Sequence, residues 1–501
     1  MMFPRTRQTQ YWNFVIIGGV TVYVIFSLAY LFFGQPHADE GWYLYASKLV
    51  WQGNLPYQDF AYTQTPLLPY IYGLPQILFG PSIYIGRATS VLFSVITLVI
   101  YISISRKHAG RIGAVSTTLI LCTFIYGIYF MSIVKTYALL AVLFALVLLV
   151  LESDSAWRYL IAIVLSFLAT MVRLSALAFA IPVVVYCLFA TRDKYLAILL
   201  CIALASVAAF FFLPNIDATR WNLITHHVMQ GNPSAVSRIA QVPVRMWGFA
   251  SQFYVYVIGA VLLVAISTIN SRKLIAPHLR HNTPMIVFAI GLILFVASHL
   301  ITGGWHMEYF VPAMMGFLTL IAIAFGKVYA TSDSKKPIPQ VALLAVLFLS
   351  PRNMPDMPYI YLSADAMPIE RVKDVAEYIS EHSDATDKIF VLDGLQYVVE
   401  SNRSSLPGMA MAQFSYVNMD DEGASKLKLV NGKTLLKYLL GCEAKIVVLT
   451  DWDWKILESS GYAERIRYAL SGCYELTMTK PEFGQQAGNV YVYLRRPDPL
   501  N

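Results

Sequence analysis

Ala38-Asp39-Glu40-Gly41-Trp42-Tyr43-Leu44-Tyr45-Ala46 is the stretch on which the fold of this chain turns. It follows the first long apolar run, Trp12 to Phe33. It also opens a segment rich in Tyr, Trp and Pro that continues to Tyr72. Two adjacent carboxylates just outside a membrane helix are costly unless they are solvated, paired or used. Here they stand where a lipid-borne substrate would present its head group.

Working outward, composition fixes the broad class. The 501 residues are 57% hydrophobic and only 13% charged, against about a quarter charged in soluble proteins. From Trp12 to Ser350 the charges are confined to short clusters, whereas Ile369 to Arg496 has ordinary soluble composition. The expectation is a polytopic α-helical membrane domain over 1–350, a linker over 351–368 and a soluble α/β domain over 369–501. Apolar runs fall near 12–33, 82–104, 112–130, 136–151, 158–172, 174–190, 195–213, 246–268, 284–301, 309–326 and 338–350. A span needs roughly 20 residues, which gives about eleven transmembrane helices. The first run has no small-residue cleavage site after it and reads as a retained span. The net charge of +7 reflects basic membrane flanks rather than a nucleic-acid surface.

Lys and Arg set the orientation. With a cytoplasmic N-terminus, the inner loops carry Arg5/Arg7, Arg106/Lys107/Arg111, Arg158, Arg192/Lys194, Arg272/Lys273/Arg280 and Lys327/Lys335/Lys336. Asp39-Glu40, the loop Pro214–Val244 and the segment Gly303–Glu308 then share the extracytoplasmic face. An odd number of spans puts the C-terminal domain there too, in a plasma or inner membrane. Cys122, Cys187 and Cys201 lie in apolar runs as packing residues. Cys442 and Cys473 fall in the soluble domain and are either a pair or two free thiols. No Cys/His spacing marks a zinc site.

In the C-terminal domain, Ile369 to His382 has the spacing of an amphipathic helix. Lys388–Leu392 and Lys445–Leu449 read as buried strands, and Tyr474–Met478 and Val490–Leu494 as later ones. The first outer loop, 34–80, is too long and too aromatic for a plain connection. Asp39 to Trp51 within it has the spacing of a helix lying in the membrane interface.

The order Asp39-Glu40-Gly-Trp-Tyr-Leu-Tyr-Ala, Pro56-Tyr57-Gln-Asp59-Phe60, Thr65-Pro66-Leu67 and Gly80…Arg87 resembles the first outer loop of GT-C membrane glycosyltransferases. The similarity is to the dolichyl-phosphate-mannose–protein mannosyltransferase-like (family 39) and aminoarabinose-transferase types. It covers Phe33 to Arg87, and beyond that only the layout of many spans followed by a soluble domain. The resemblance implies transfer of a hexosyl or pentosyl sugar from a polyprenyl-phosphate donor to a glycan, lipid or protein acceptor.

Such a site needs a carboxylate to take the acceptor proton and cations for the leaving phosphate. Asp39 matches the family's first-loop Asp and is assigned as general base. Its structural alternative is a helix N-cap. Glu40 is read as either acceptor binding or plain solvation. Asp59 and Tyr62 are candidate substrate contacts, with Asp59 otherwise a turn residue after Pro56. Lys135 and Arg173 are candidate phosphate partners, and Arg87 reads as a structural pair. His306, Glu308 and Tyr309 form a junction similar to one in the family, although an Arg often stands where Glu308 does. His226 and His227 read as surface residues. A divalent metal is possible, but no spacing requires one. Two other classes stay open: a multi-pass transporter, and a non-catalytic lipid-binding membrane protein. A transporter usually shows two matched halves with broken helices, and no such symmetry is visible.

Overall fold

The computed structural model describes residues 5–229, 235–254, 256, 258, 283–301, 304, 306–331, 368–483 and 488–497. The expected span 338–350, nearly all of the linker, the end of the 246–268 run and Gly303 lie outside the described residues. The N-terminal part is helical: α1 (Arg5–Phe33), α2 (Ala38–Trp51), α3 (Leu67–Phe79), α4 (Ile83–Thr123), α5 (Ile125–Ser132), α6 (Thr136–Leu151), α7 (Arg158–Val172), α8 (Leu177–Ala190) and α9 (Lys194–Phe212). Helices Ala235–Gln252, Thr283–Leu300 and Val311–Thr331 follow.

Among the described residues, five helices are long and apolar enough to cross a membrane. They are Tyr11–Phe33, Ile83–Thr123, Lys194–Phe212, Thr283–Leu300 and Met307–Lys327. The pair α5 and α6, bent by 107° at its break, makes a sixth if counted as one span. Shorter apolar helices cover 67–79, 158–172 and 174–190.

The 41 residues of α4 would extend about 60 Å if straight, twice the hydrocarbon thickness. They do not run straight. Thr117 Oγ1 donates to Ser105 Oγ at 2.6 Å, whereas twelve residues of straight helix rise about 18 Å. The chain reverses at Ala109–Gly110, where Gly110 takes φ 61°, a left-handed conformation that glycine adopts without strain. The expected span 82–104 is thus the first arm. The second arm continues past the break at Phe124 into α5. At the turn, Lys107 and His108 both engage Glu152 at the end of α6, His108 Nε2 at 2.8 Å. Basic residues therefore gather at the end of the bundle opposite α2.

The C-terminal part carries a five-stranded sheet: β1 (Lys388–Val391), β2 (Ser404–Ser405), β3 (Ile446–Thr450), β4 (Tyr474–Phe483) and β5 (Gly488–Arg495). The order is β2-β1-β3-β5-β4. β1 runs parallel to β2 and β3, and β5 runs antiparallel to β3 and β4. β1 and β3 are the continuous apolar runs of the sequence, buried on both faces. The two-residue β2 has no signal in the sequence. The helix expected over Ile369–His382 is Pro368–Glu381. Cys442 and Cys473 form a disulfide with Cα atoms 5.7 Å apart.

This domain sits on the first outer loop. A Cβ on Gly41 would lie 2.3 Å from the Gln396 backbone nitrogen, so the glycine of the acidic motif permits close approach of the helix Leu395–Glu400 to α2. Lys48 Nζ donates to the Arg403 carbonyl at 2.8 Å, Ser405 N to Tyr45 Oη at 2.9 Å, and Tyr84 Oη to Glu370 at 2.9 Å.

Candidate active site

The site is built where α2 begins. His37 is the N-cap: its Nδ1 accepts from the Asp39 amide at 3.1 Å, and Glu40 Oε1 accepts from the His37 amide at 2.9 Å. This reciprocal cap fills the role that sequence alone left open to Asp39. Burial, then the nearby Lys135 charge, push the His37 imidazole down to about 4. It is neutral near pH 7, so its 3.7 Å approach to Asp39 Oδ2 is not an ion pair.

Capping by His37 leaves the Asp39 side chain available. Asp39 Oδ2 lies 3.1 Å from Lys135 Nζ, and its Oδ1 accepts from the Trp42 indole at 3.2 Å. Burial alone would raise this carboxyl. Lys135, with the indole, outweighs it and holds the group well below the usual carboxylate range. Lys135 Nζ also reaches Glu308 Oε1 at 3.3 Å. The ammonium thus ties the start of α2 to the turn Met307–Phe310.

Lys135 occupies the break between α5 and α6, in extended backbone (φ −142°). The unwound peptides there are satisfied from other elements: Val134 N donates to Glu40 Oε2 at 3.0 Å, and the Ile133 carbonyl accepts from Ser90 Oγ at 2.8 Å. Non-helical backbone at membrane depth persists only with such partners.

Glu40 faces away from this array. It forms a closed pair with Arg87, at 2.6 Å and 2.8 Å, and is 1% exposed. Neither reading made from the sequence, acceptor binding or solvation, describes that environment. Burial would raise the Glu40 carboxyl, but Arg87 holds it down.

Arg173 stands in extended backbone between α7 and Leu174–Ala176 (φ −154°). Its guanidinium lies 4.2 Å from the Tyr309 ring centroid and 5.7 Å from that of Tyr137, and it donates to Thr136 Oγ1 at 3.3 Å. Among the described residues no carboxylate pairs with it. It lines a cavity of about 240 Å³ together with Thr63, Gln64, His227 and Tyr309. His306 is exposed, 5.2 Å ring to ring from Tyr309.

Two candidates lie outside the array. Asp59 is exposed, and its Oδ2 accepts from the Leu55 amide at 2.7 Å, closing the turn after Pro56. Tyr62 is fully buried against Trp42, ring centroids 5.6 Å apart, and among the described residues its hydroxyl has no partner. His226 and His227 are half-buried rather than superficial. His226 packs on Phe414, and His227 bonds the Thr63 carbonyl at 2.8 Å. Among the described residues no three His, Cys, Asp or Glu side chains gather as a metal site. The position between Asp39 and Glu308 belongs to the Lys135 ammonium. Sequence reasoning missed His37 and the hydrogen-bonding role of Trp42. The His37-x-x-Glu40 spacing is the capping pattern that would have exposed the first.

No protein-family model and no curated protein sequence matches the chain. Solved structures do. ArnT from Cupriavidus metallidurans bound to undecaprenyl phosphate matches with a TM-score of 0.56 at 15% identity, covering 97% of this chain and 98% of that one. The apo form of the same protein matches with a TM-score of 0.60 at 13% identity and the same coverage. The helical bundle with its docked α/β domain is thus a known arrangement: over nearly its whole length the chain has the fold of ArnT.

Proposed function

We propose that this protein transfers a sugar from a polyprenyl-phosphate-linked donor to an acceptor at the non-cytoplasmic face of the membrane. The observation that carries the reading is the Asp39–Lys135–Glu308 array beside the buried, carboxylate-free guanidinium of Arg173. These groups supply a carboxylate and cations for the leaving phosphate, and Arg173 lines a cavity beside Tyr309. The ArnT fold, known with bound undecaprenyl phosphate, and the disulfide, which suits an oxidising compartment, support it.

In the reaction, the acceptor oxygen bonds to the anomeric carbon while the bond to the phosphate oxygen breaks. The lipid phosphate leaves with the electron pair, and the acceptor proton passes to Asp39. A carboxylate held as low as Asp39 is a weak base while Lys135 grips it. A donor phosphate competes for the same ammonium, and as Lys135 turns to it Asp39 regains basicity. Developing positive charge at the anomeric centre is then stabilised by the nearby carboxylates. Arg173 anchors the phosphate, and Glu308 keeps Lys135 between the two sites. Glu40 acts as a positioning residue.

Protein in nanodiscs supplied with radiolabelled polyprenyl-phosphate sugars tests the reading. Arg173→Ala should raise the donor KM by roughly tenfold or more, the scale of one lost charge-assisted contact, while Arg173→Lys retains part of the affinity. Unchanged donor KM in Arg173→Ala returns that residue to packing. No transfer from any polyprenyl-phosphate sugar, with counterflow of a solute instead, would favour the transporter. The face is tested separately. In a background without the free cysteines, Arg106→Cys and Ser425→Cys, both at exposed positions, should label from opposite sides of the membrane.

A further inference from the structure

We infer that the C-terminal domain holds a second site, a cleft that binds the saccharide portion of the acceptor, a specification that rests on the glycosyltransferase reading. The cleft measures about 870 Å³, within the range of small-molecule sites. It opens at the carboxyl ends of the parallel strands β1 and β3. Asp393 follows β1, and Thr450-Asp451-Trp452 ends β3. Loops at that edge of a parallel sheet commonly hold ligands. Pro36-His37-Ala38, the three residues that lead into Asp39, also line the cleft.

The lining matches a sugar. Trp452, Trp454, Tyr491 and Tyr493 contribute aromatic rings, and Asp393 and Gln396 contribute polar edges. A pyranose presents apolar C–H faces, which pack on rings, and hydroxyl edges, which donate to carboxylate and amide oxygens. The carboxylates here differ in what they still need. Asp451 is saturated by Asn489 N at 2.7 Å, Asn489 Nδ2 at 3.0 Å and Tyr491 Oη at 2.9 Å. Asp453, fully buried behind the cleft, accepts from Thr450 N at 2.7 Å, Thr450 Oγ1 at 3.0 Å and Asp393 N at 2.8 Å. Among the described residues Asp393 Oδ1 is buried with no partner, and so is Gln396 Oε1. An orphaned buried acceptor costs about 1–3 kcal/mol, which a donated hydroxyl would remove. Lys455, Arg467 and Arg496 also line the cleft beside Glu458 and Glu475, with Lys455 5.7 Å from the Trp452 ring and Arg467 4.8 Å from that of Trp454, so the charges are mixed and the two open acceptors call for donated hydroxyls. Burial, with the charge of Asp39 nearby, pushes the Asp393 carboxyl up to about 6, in keeping with its lack of donors and its closeness to the transfer site.

Saturation-transfer NMR on the full chain in nanodiscs, prepared without sugar-based detergent, tests the cleft directly. The probes are the methyl glycosides of glucose, galactose, mannose and N-acetylglucosamine at millimolar concentration. At least one should receive saturation, and Asp393→Ala and Trp452→Ala should each lose most of it. Should Asp393→Ala fail to fold, Trp452→Ala decides. Asp39→Asn should bind the glycoside as wild type does, which separates this test from that of the transfer reaction. Glycoside binding in a protein that transfers no sugar would keep the cleft and remove the glycosyltransferase reading. Saturation of none of the glycosides, or saturation undiminished in both cleft variants, overturns the inference. So does a serine-containing peptide that occupies the cleft when no glycoside does.

Discussion

Arg87 and Glu40 close on each other as a two-pronged pair, Nη2 to Oε1 at 2.6 Å and Nε to Oε2 at 2.8 Å, both side chains at most 1% exposed. Arg87 Nη1 also donates to the Tyr30 and Gly34 carbonyls, each at 2.9 Å. The guanidinium therefore closes the end of α1, adding a second donor at the Tyr30 carbonyl, which also accepts from Gly34 N at 3.1 Å, while Glu40 lies at the positive end of α2. One residue earlier, Asp39 faces Lys135 instead. Successive helical residues point about 100° apart, so two adjacent carboxylates enter separate environments.

Removing one member of this pair should act on stability. Glu40→Ala or Arg87→Ala strands a buried charge, which costs about 3–5 kcal/mol. Arg87→Lys should not rescue, because an ammonium cannot reproduce the two-pronged geometry. Thermal melting in nanodiscs checks both. A melting temperature unchanged in Glu40→Ala would refute the positioning role.

Asp39→Asn should act on chemistry. The cap belongs to His37, so the helix start survives, and the amide oxygen can still accept from Trp42. Turnover should fall roughly 10²–10⁴-fold with donor binding intact. Near-normal sugar transfer by the purified variant would remove the base role from Asp39 and leave Glu308 as the carboxylate to test.

Tyr62→Phe separates packing from substrate contact. The Tyr62 hydroxyl is buried without a partner among the described residues, so its removal should leave stability equal or higher by up to about 1 kcal/mol, with turnover unchanged. A clear loss of transfer would instead mean that the hydroxyl meets substrate.

The C-terminal domain should be less stable at neutral pH than in mild acid. Folding raises the Asp393 carboxyl to about 6, and Asp453, which faces it, is raised further by burial and by Asp393. A group raised on folding contributes stability below its unfolded pKa of about 4. For Asp393 that contribution disappears as pH climbs through about 6. Asp393→Asn should therefore gain stability relative to wild type at pH 7 and gain little near pH 4, as read by thermal melts at both pH values. Equal differences at both would show that Asp393 does not titrate in this window.

Much of the fold is legible locally. The apolar run 82–104 is the first arm of α4, because only uninterrupted apolar helix suits lipid. Lys388–Leu392 and Lys445–Leu449 are strands because they are short and apolar on both faces. Pairing is not written in this way. Nothing local to Lys135 indicates that Asp39, 96 positions earlier, is its partner rather than water. Nothing at Cys442 names Cys473.

By itself, the sequence determined the class of this protein, most of its apolar helices, four of its five strands, and the presence of an acidic motif at the start of an interfacial helix. These follow from hydrophobicity and periodicity, which act over a few residues. Only the tertiary structure decided which carboxylate is structural and which is chemical. It assigned the cap to His37, left Arg173 without a carboxylate, and set the α/β domain on Gly41. Each outcome depends on burial and on charges brought together from distant segments, and the energy of a buried charge is set by its neighbours in space rather than in sequence.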